Sequence, residues 1–403
     1  MRASLVSCLV LVLACGGDDA ASPDGGGGGG SDASVASDAP TGCMRTTAAA
    51  DRPRFVVISH PYDAAGERAP VFEVLELSAA GALTRVQPPR LFSLAKRASF
   101  GTVEFTPDGQ VGIVALEDGS LGVFRLDAAG MPTVVHAGLT GSYYATKVVI
   151  DPRGDRAWIL EGNTRGNGGG IYLVTIACDG TLTDHGLFAA ADLPGALAFT
   201  NDGRAIVGAR DVLDANTEGN DIQLVRWTEP PTAVAGVDVF GADESVGGAA
   251  LTADGATFLV GDRSGFGAAP NSVAVVGVGA SSLSKVGVIT PLEDPNAIAT
   301  SPFGDVAIVT SAFGDHIFVL DKGGTNGAWR SRGTVPYLNG VRPMLPGDLA
   351  TVSRGMLQGH VFVSENVSVR HLAFRASGMV EDLGSLQLGS GLDNISGVIG
   401  VTP

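Results

Sequence analysis

Residues 196–208 read Ala-Leu-Ala-Phe-Thr-Asn-Asp-Gly-Arg-Ala-Ile-Val-Gly. An apolar run, Ala196–Phe199, leads into Thr-Asn-Asp-Gly and out into a second apolar run, Ala205–Gly208. Asn and Asp side chains bond to nearby backbone in turns, and glycine accepts the left-handed conformation that closes one. The stretch therefore predicts two antiparallel strands joined by a tight turn. Downstream, Ile222–Trp227 reads as a third strand and Val234–Phe240 as a weaker fourth. The turn recurs as Thr-Pro-Asp-Gly at 106–109, Asp-Pro-Arg-Gly at 151–154 and Thr-Ala-Asp-Gly at 252–255. It returns as Ser-Pro-Phe-Gly at 301–304 and Val-Ser-Arg-Gly at 352–355. The six glycines are 45, 49, 52, 49 and 51 residues apart. A period near 50 that carries four strands is the blade of a β-propeller.

The chain ends complete the ring. Phe55–Ser59 reads as a second strand and Val71–Leu77 as a third, with no first strand before them. Residues 397–403 read Gly-Val-Ile-Gly-Val-Thr-Pro, and Thr402-Pro403 aligns with Thr106-Pro107. The C-terminal run can supply the missing inner strand. Six whole repeats and one shared blade predict an all-β, seven-bladed propeller of four-stranded antiparallel blades, closed without open sheet edges. Five positions before the turn glycines stand Glu104, Val149, Ala198, Ala250, Ala299 and Ala350, with Gly400 in the last strand. Small residues suit the place where sheets converge on the axis. Phe105, Ile150, Phe199, Leu251 and Val401 are expected to pack between blades.

Composition bounds the function. The 403 residues include 58 glycines and carry a formal charge of −16. Such acidity excludes a nucleic-acid partner, which needs a basic footprint, and keeps an exported protein soluble. Residues 1–14 read as a signal peptide: Met1-Arg2, then the apolar stretch Leu5–Ala14, too short to span a bilayer. The sequence Val12-Leu-Ala-Cys15-Gly16 resembles a bacterial lipobox, which implies lipidation of Cys15 and a membrane anchor. Residues 15–50, with the run Gly25–Gly30, read as a flexible linker, and 51–403 as the propeller. The expected location is the cell envelope, on the outer membrane or cell surface, and the expected state a monomer.

Residues 295–305, Pro-Asn-Ala-Ile-Ala-Thr-Ser-Pro-Phe-Gly-Asp, followed by Val306–Thr310 and Ile317–Asp321, resemble a YVTN or surface-layer propeller repeat. That family overlaps the lactonase-like seven-bladed propellers. The resemblance spans about 53–403 and implies the fold, with cell-surface proteins, binding modules and sugar-lactone hydrolases among its members. No lactonase catalytic motif can be matched, so no catalytic residue is carried over.

Three charges fall in the inner strands: Glu104, Lys147 and Asp348. Glu104 and Lys147 lie in consecutive blades and are expected to meet, as polar groups in the central channel or as an inter-blade pair. Three consecutive repeats have long loops, Glu161–Gly170, Arg210–Asp221 and Asp262–Ser272, all on one face, where binding usually resides. Within the second, Asp214, Asn216, Glu218 and Asp221 partly match a calcium loop that lacks its twelfth-position glutamate. Ca²⁺ is the one cofactor this suggests; an acidic solvated loop is the alternative. The six histidines, with His360 and His371 the nearest pair, show no zinc spacing. Tyr143-Tyr144 suits packing or a ligand funnel. Cys43 and Cys178 can form a disulfide. About ten extended residues span about 33 Å, enough to bring Cys43 across the glycine-turn face and to set that face toward the membrane.

Three readings of function follow. The first is an envelope-anchored interaction module that presents its long-loop face to a protein or glycan. The second is a lactonase-like hydrolase acting in the channel. The third is a structural envelope component.

Overall fold

In the computed structural model, the described residues are 43, 45–48, 52–99, 101–162, 169–212, 221–240, 246–262, 271–312, 314–343 and 347–403. The signal peptide, Cys15, and Asp214, Asn216 and Glu218 lie outside them.

The chain forms a seven-bladed β-propeller whose blades are antiparallel and four strands deep. Blade 1 takes Ile399–Val401 as its inner strand, followed by Arg54–Tyr62 and Arg68–Leu77. Its outer position is shared by two short pieces, Leu83–Thr84 and Arg90–Ser93. Blades 2 to 7 begin with the inner strands Glu104–Phe105, Lys147–Ile150, Ala196–Phe199, Val246–Leu251, Pro295–Thr300 and Leu349–Thr351. The fourth strand of blade 4 is Thr232–Val237, two residues earlier than the apolar run suggests. Its outer edge is solvent-facing, so apolar character marks it poorly.

The repeated turn is built by its own side chains. Thr106 Oγ1 donates to Asp108 Oδ1 at 2.6 Å and accepts from the Val111 amide at 3.1 Å. The Gly109 amide donates to the Thr106 carbonyl at 2.6 Å, and Gly109 has φ +65°. Thr252, Asp254 and Thr257 repeat the arrangement at 2.6 and 3.0 Å. The turn is thus encoded within six residues, which is why it recurs wherever those residue types do.

Burial is organised by junction. Seven apolar clusters form among the described residues, one between each pair of neighbouring blades. Ile113 of blade 2 packs with Ile159 of blade 3, and Phe258 of blade 5 with Ile206 of blade 4. Near the axis the inner strands approach so closely that a Cβ on Gly248 would overlap the Asn296 carbonyl oxygen, and one on Gly400 that of Val103. Glycine at these points permits the backbone contact.

Ring closure follows the register Val56 to Val401, Val57 to Gly400 and Ile58 to Ile399. Phe55 and Thr402 exchange two hydrogen bonds, amide to Oγ1 and amide to carbonyl, both 2.9 Å. Arg54, 2% exposed, donates from Nη2 to the Arg354 carbonyl at 2.8 Å, tying blade 1 to the blade 7 turn. Glu73, fully buried in blade 1, accepts from His60 Nε2 at 2.8 Å and from Arg85 Nε at 2.6 Å. Burial pushes its carboxyl upward, but these two hydrogen bonds outweigh that and hold it below the usual carboxylate range.

The end of the expected linker belongs to the propeller. Cys43 is disulfide-bonded to Cys178 with Cα atoms 4.9 Å apart, and its amide donates to the Ile176 carbonyl at 3.0 Å. Arg45 Nη1 pairs with Asp108 Oδ2 at 2.8 Å, and the Ala48 amide donates to the Pro107 carbonyl at 3.1 Å. Cys43 and residues 45–48 are therefore held on the glycine-turn face, Cys43 at blade 3 and Ala48 at blade 2.

Candidate functional site

In a propeller the inner strands all start at one end of the central channel. The preceding connections, and the loops between second and third strands, stand at that same end. A cavity of about 590 Å³ occupies it. Its wall is made of inner-strand beginnings and the residues just before them, from blades 2 to 7. Most wall groups are small or apolar: Gly195, Gly247, Gly248, Val246 and Leu193 are among them. Against that wall stand Glu104, Lys147 and Asp348, so residues separated by up to 244 positions share one space.

Glu104 Oε1 accepts from Thr102 Oγ1 at 2.6 Å. Burial raises its carboxyl above the ordinary range, against the Thr102 hydrogen bond and the positive charge of Lys147 in the next blade. Part of Glu104 fronts the channel, so water screens it and the upward push is smaller than full enclosure would give. Asp348 is 7% exposed; its amide donates to Ser364 Oγ at 3.1 Å, and Asn296 Nδ2 reaches its Oδ1 at 3.4 Å. Asn296, Thr102 and Thr146 complete the polar part of the wall. Uncharged and scattered in sequence, they carry no signal of their own. A place at the start of an inner strand, counted back from each turn glycine, is what would have found them.

The long loops share this end. Their middles, 163–168, 213–220 and 263–270, fall outside the described residues, and one stem residue reaches the cavity. Gly162 lines it directly. Asp211–Val212 pairs with Ala191–Asp192 in a short ribbon, fastened by Arg210 to Asp192 at 2.6 Å, and Leu193 beyond it reaches the wall.

Asp221 turns inward. It is 3% exposed, and its Oδ2 accepts the amides of Val239 at 2.9 Å and Phe240 at 2.7 Å. This carboxylate thus holds a backbone turn. Burial, with Asp238 beside it, pushes its pKa up from 3.8 to about 7 against those two amide bonds. The folded state then keeps a proton that the unfolded chain releases. The stability this contributes is complete below about pH 4 and is lost as pH rises toward 7. Asp221→Asn, which keeps an acceptor oxygen, is expected to flatten that part of the profile. Urea denaturation at several pH values checks it; an unchanged slope would contradict the assignment.

The nearest histidine pair is structural. His360 Nδ1 and His371 Nε2 share a hydrogen bond at 2.8 Å in blade 7, and Phe362 stacks on His371 with ring centroids 4.5 Å apart. Burial first, then the neighbouring His360, lowers His371 to about 4, so it is neutral at pH 7. Tyr143 is 6% exposed in the junction of blades 2 and 3, and Tyr144 donates to the Glu117 carbonyl at 2.6 Å. Glu293, Asp315 and His316 gather at the loop end of blades 5 and 6, with ligating atoms within 4.8 Å of one another. They are largely solvent-exposed, where water competes for any cation, and no role is assigned to them.

No known protein family and no curated protein matches the chain. Solved structures do. A candidate 6-phosphogluconolactonase from Bacteroides fragilis superposes with a TM-score of 0.61 at 11% identity, covering 87% of this chain and 98% of the other. A second such candidate, from Bacteroides uniformis, gives 0.57 at 12%, covering 86% and 99%. A protein of unknown function from Desulfotomaculum acetoxidans gives 0.58 at 12%, covering 86% and 98%. At these identities the likeness is one of fold.

Proposed function

We propose that this propeller is an exported, lipid-anchored envelope protein that binds a protein or glycan partner with its long-loop end, the charged channel mouth at the centre. The observation that carries this reading is the cavity of about 590 Å³ at that end, where Glu104, Lys147 and Asp348 stand on a wall otherwise of small, apolar and uncharged polar residues. A rigid ring that concentrates its loop stems around a polar pit suits recognition. No helix among the described residues is long and apolar enough to cross a membrane; in this reading the anchor is a lipid on Cys15.

The hydrolase reading keeps one observation in its favour: a channel carboxyl, Glu104, raised by burial, which is the condition of a general acid or base near neutral pH. Against a phosphorylated sugar lactone stands the wall itself. Among the described lining residues Lys147 is the one cation, with two carboxylates beside it.

A photo-crosslinking residue at Leu193, on the mouth, is expected to capture the partner in intact cells, and one at Gly378, at the opposite end, to capture none. Lys147→Met and Asp348→Asn are expected to weaken capture about tenfold together. Equal capture from both positions would sink the reading. Turnover of glucono-δ-lactone by the purified chain, lost in Glu104→Gln, would transfer the assignment to the hydrolase.

A further inference from the structure

Blade 3 departs from the aliphatic habit of the repeat. Four residues after the turn glycine, blades 2, 4, 5 and 6 carry Ile113, Val207, Leu259 and Ile308, and blade 3 carries Trp158. Trp158 is 2% exposed, with its ring centroid 6.1, 5.0 and 5.6 Å from those of Phe188, Phe199 and Trp227. Two of the chain's three tryptophans thus stand in one junction. Sealing a junction does not demand tryptophan: blades 2 and 3 are joined largely by Val, Leu, Ile and two tyrosines, and blades 1 and 2 by phenylalanines among aliphatic residues.

Phe188, Phe199 and Trp227 keep part of their surface uncovered, and they line a cavity of about 460 Å³ between blades 3 and 4 at the glycine-turn end. Its remaining wall is largely polar, and Asp151, Arg153, Arg156, Asn201, Thr228 and Glu229 belong to it. Asp151 accepts the Arg153 amide at 2.6 Å and its Nε at 3.3 Å, which occupies both groups. Arg156 differs. Its Nε is sealed from solvent without an acceptor, and its guanidinium has no hydrogen bond or ion pair among the described residues. The side chain lines the cleft, so a ligand's acceptor meets it through the terminal amino groups of the guanidinium, which have no partner among the described residues.

We propose that this cleft binds a carbohydrate, namely a pyranoside that bears a carboxylate, as in a uronic-acid residue of a glycan. The aromatic floor takes the C–H face of the ring, where burial favours apolar contact. Asn201, Thr228 and Glu229 meet the hydroxyls around its edge. Arg156 takes the carboxylate, the planar acceptor its fork fits. A flat aromatic acid would match the floor and leave the polar rim unanswered. This site lies at the opposite end of the propeller from the channel mouth and does not depend on the function proposed there.

The test is a titration of the full chain with methyl β-D-glucuronide and methyl β-D-glucoside, read by tryptophan emission and calorimetry. The glucuronide is expected to shift emission saturably and to bind about tenfold more tightly than the glucoside. Trp227→Ala is expected to abolish the response. Arg156→Gln, a rim change that leaves the aromatic packing intact, is expected to bring the glucuronide down to the glucoside's affinity. Trp329→Phe, in the junction of blades 5 and 6, is expected to leave the titration unchanged. The proposal is overturned if the glucuronide gives no saturable response, if the two glycosides bind equally, or if the glucuronide preference survives Arg156→Gln.

Discussion

Deleting Gly397–Pro403 is expected to abolish cooperative folding. The segment supplies the inner strand of blade 1, so its loss leaves Arg54–Tyr62 with an open edge and uncovers the junctions on either side. Ile399 is fully buried, and Val398 and Val401 are 5% and 8% exposed. Three such side chains contribute about 1.5–3 kcal/mol each, before the strand hydrogen bonds and the two bonds between Phe55 and Thr402. That sum rivals the roughly 5–15 kcal/mol that holds a whole domain. Urea melts followed by circular dichroism check the prediction, and a truncated chain with native cooperativity would refute it. Gly400→Val addresses the same closure by one residue. Its side chain would displace the Val103 backbone of blade 2, and a loss of about 3 kcal/mol or more is expected, in the range of overpacked core sites.

Breaking the Cys43–Cys178 bond is the second large effect. The cysteines are 135 residues apart in sequence. For a loop of that length, the chain-entropy relation gives about 5 kcal/mol of stabilisation through the unfolded state. Cys178→Ser should lower the unfolding free energy by an amount approaching this figure, measured by urea denaturation under oxidising conditions. A local change accompanies it. Arg45 is held against Asp108 and the Ala177 carbonyl, with Nη2 donating to the latter at 2.6 Å, so loosening residues 43–48 should open the bond after Arg45 to trypsin. A melt insensitive to reductant, with no new cleavage, would show that the other contacts of this segment suffice.

The turns were legible because their chemistry is local. Thr106, Asp108 and Gly109 make each other's hydrogen bonds within a few residues, so the repeat is written in the order of residue types. Ring closure was legible for a related reason: Phe55–Ser59 lacked a first strand and the chain ended on one. The disulfide was within reach once the topology put both cysteines on the glycine-turn face. The linker boundary was not, because Cys43–Ala48 has no strand pattern; it is held by partners more than 50 residues away, such as Asp108 and Ile176.

The blade, the number of blades and the end that carries the long loops could be read from the order of residues, because each rests on contacts between residues near in the chain or on the count of a repeat. Tertiary structure alone decided which of those residues share a space. Glu104, Lys147 and Asp348 meet at the channel mouth because seven sheets converge on one axis, and Asn296 joins them for the same reason. Trp158 and Trp227 face one cleft because blade 4 packs on blade 3. Asp221, in sequence a candidate cation ligand, is drawn inward by the Val239 and Phe240 amides. Around a closed ring, radial position sets burial and partners, and radial position is a property of the assembled blades rather than of any one stretch of chain.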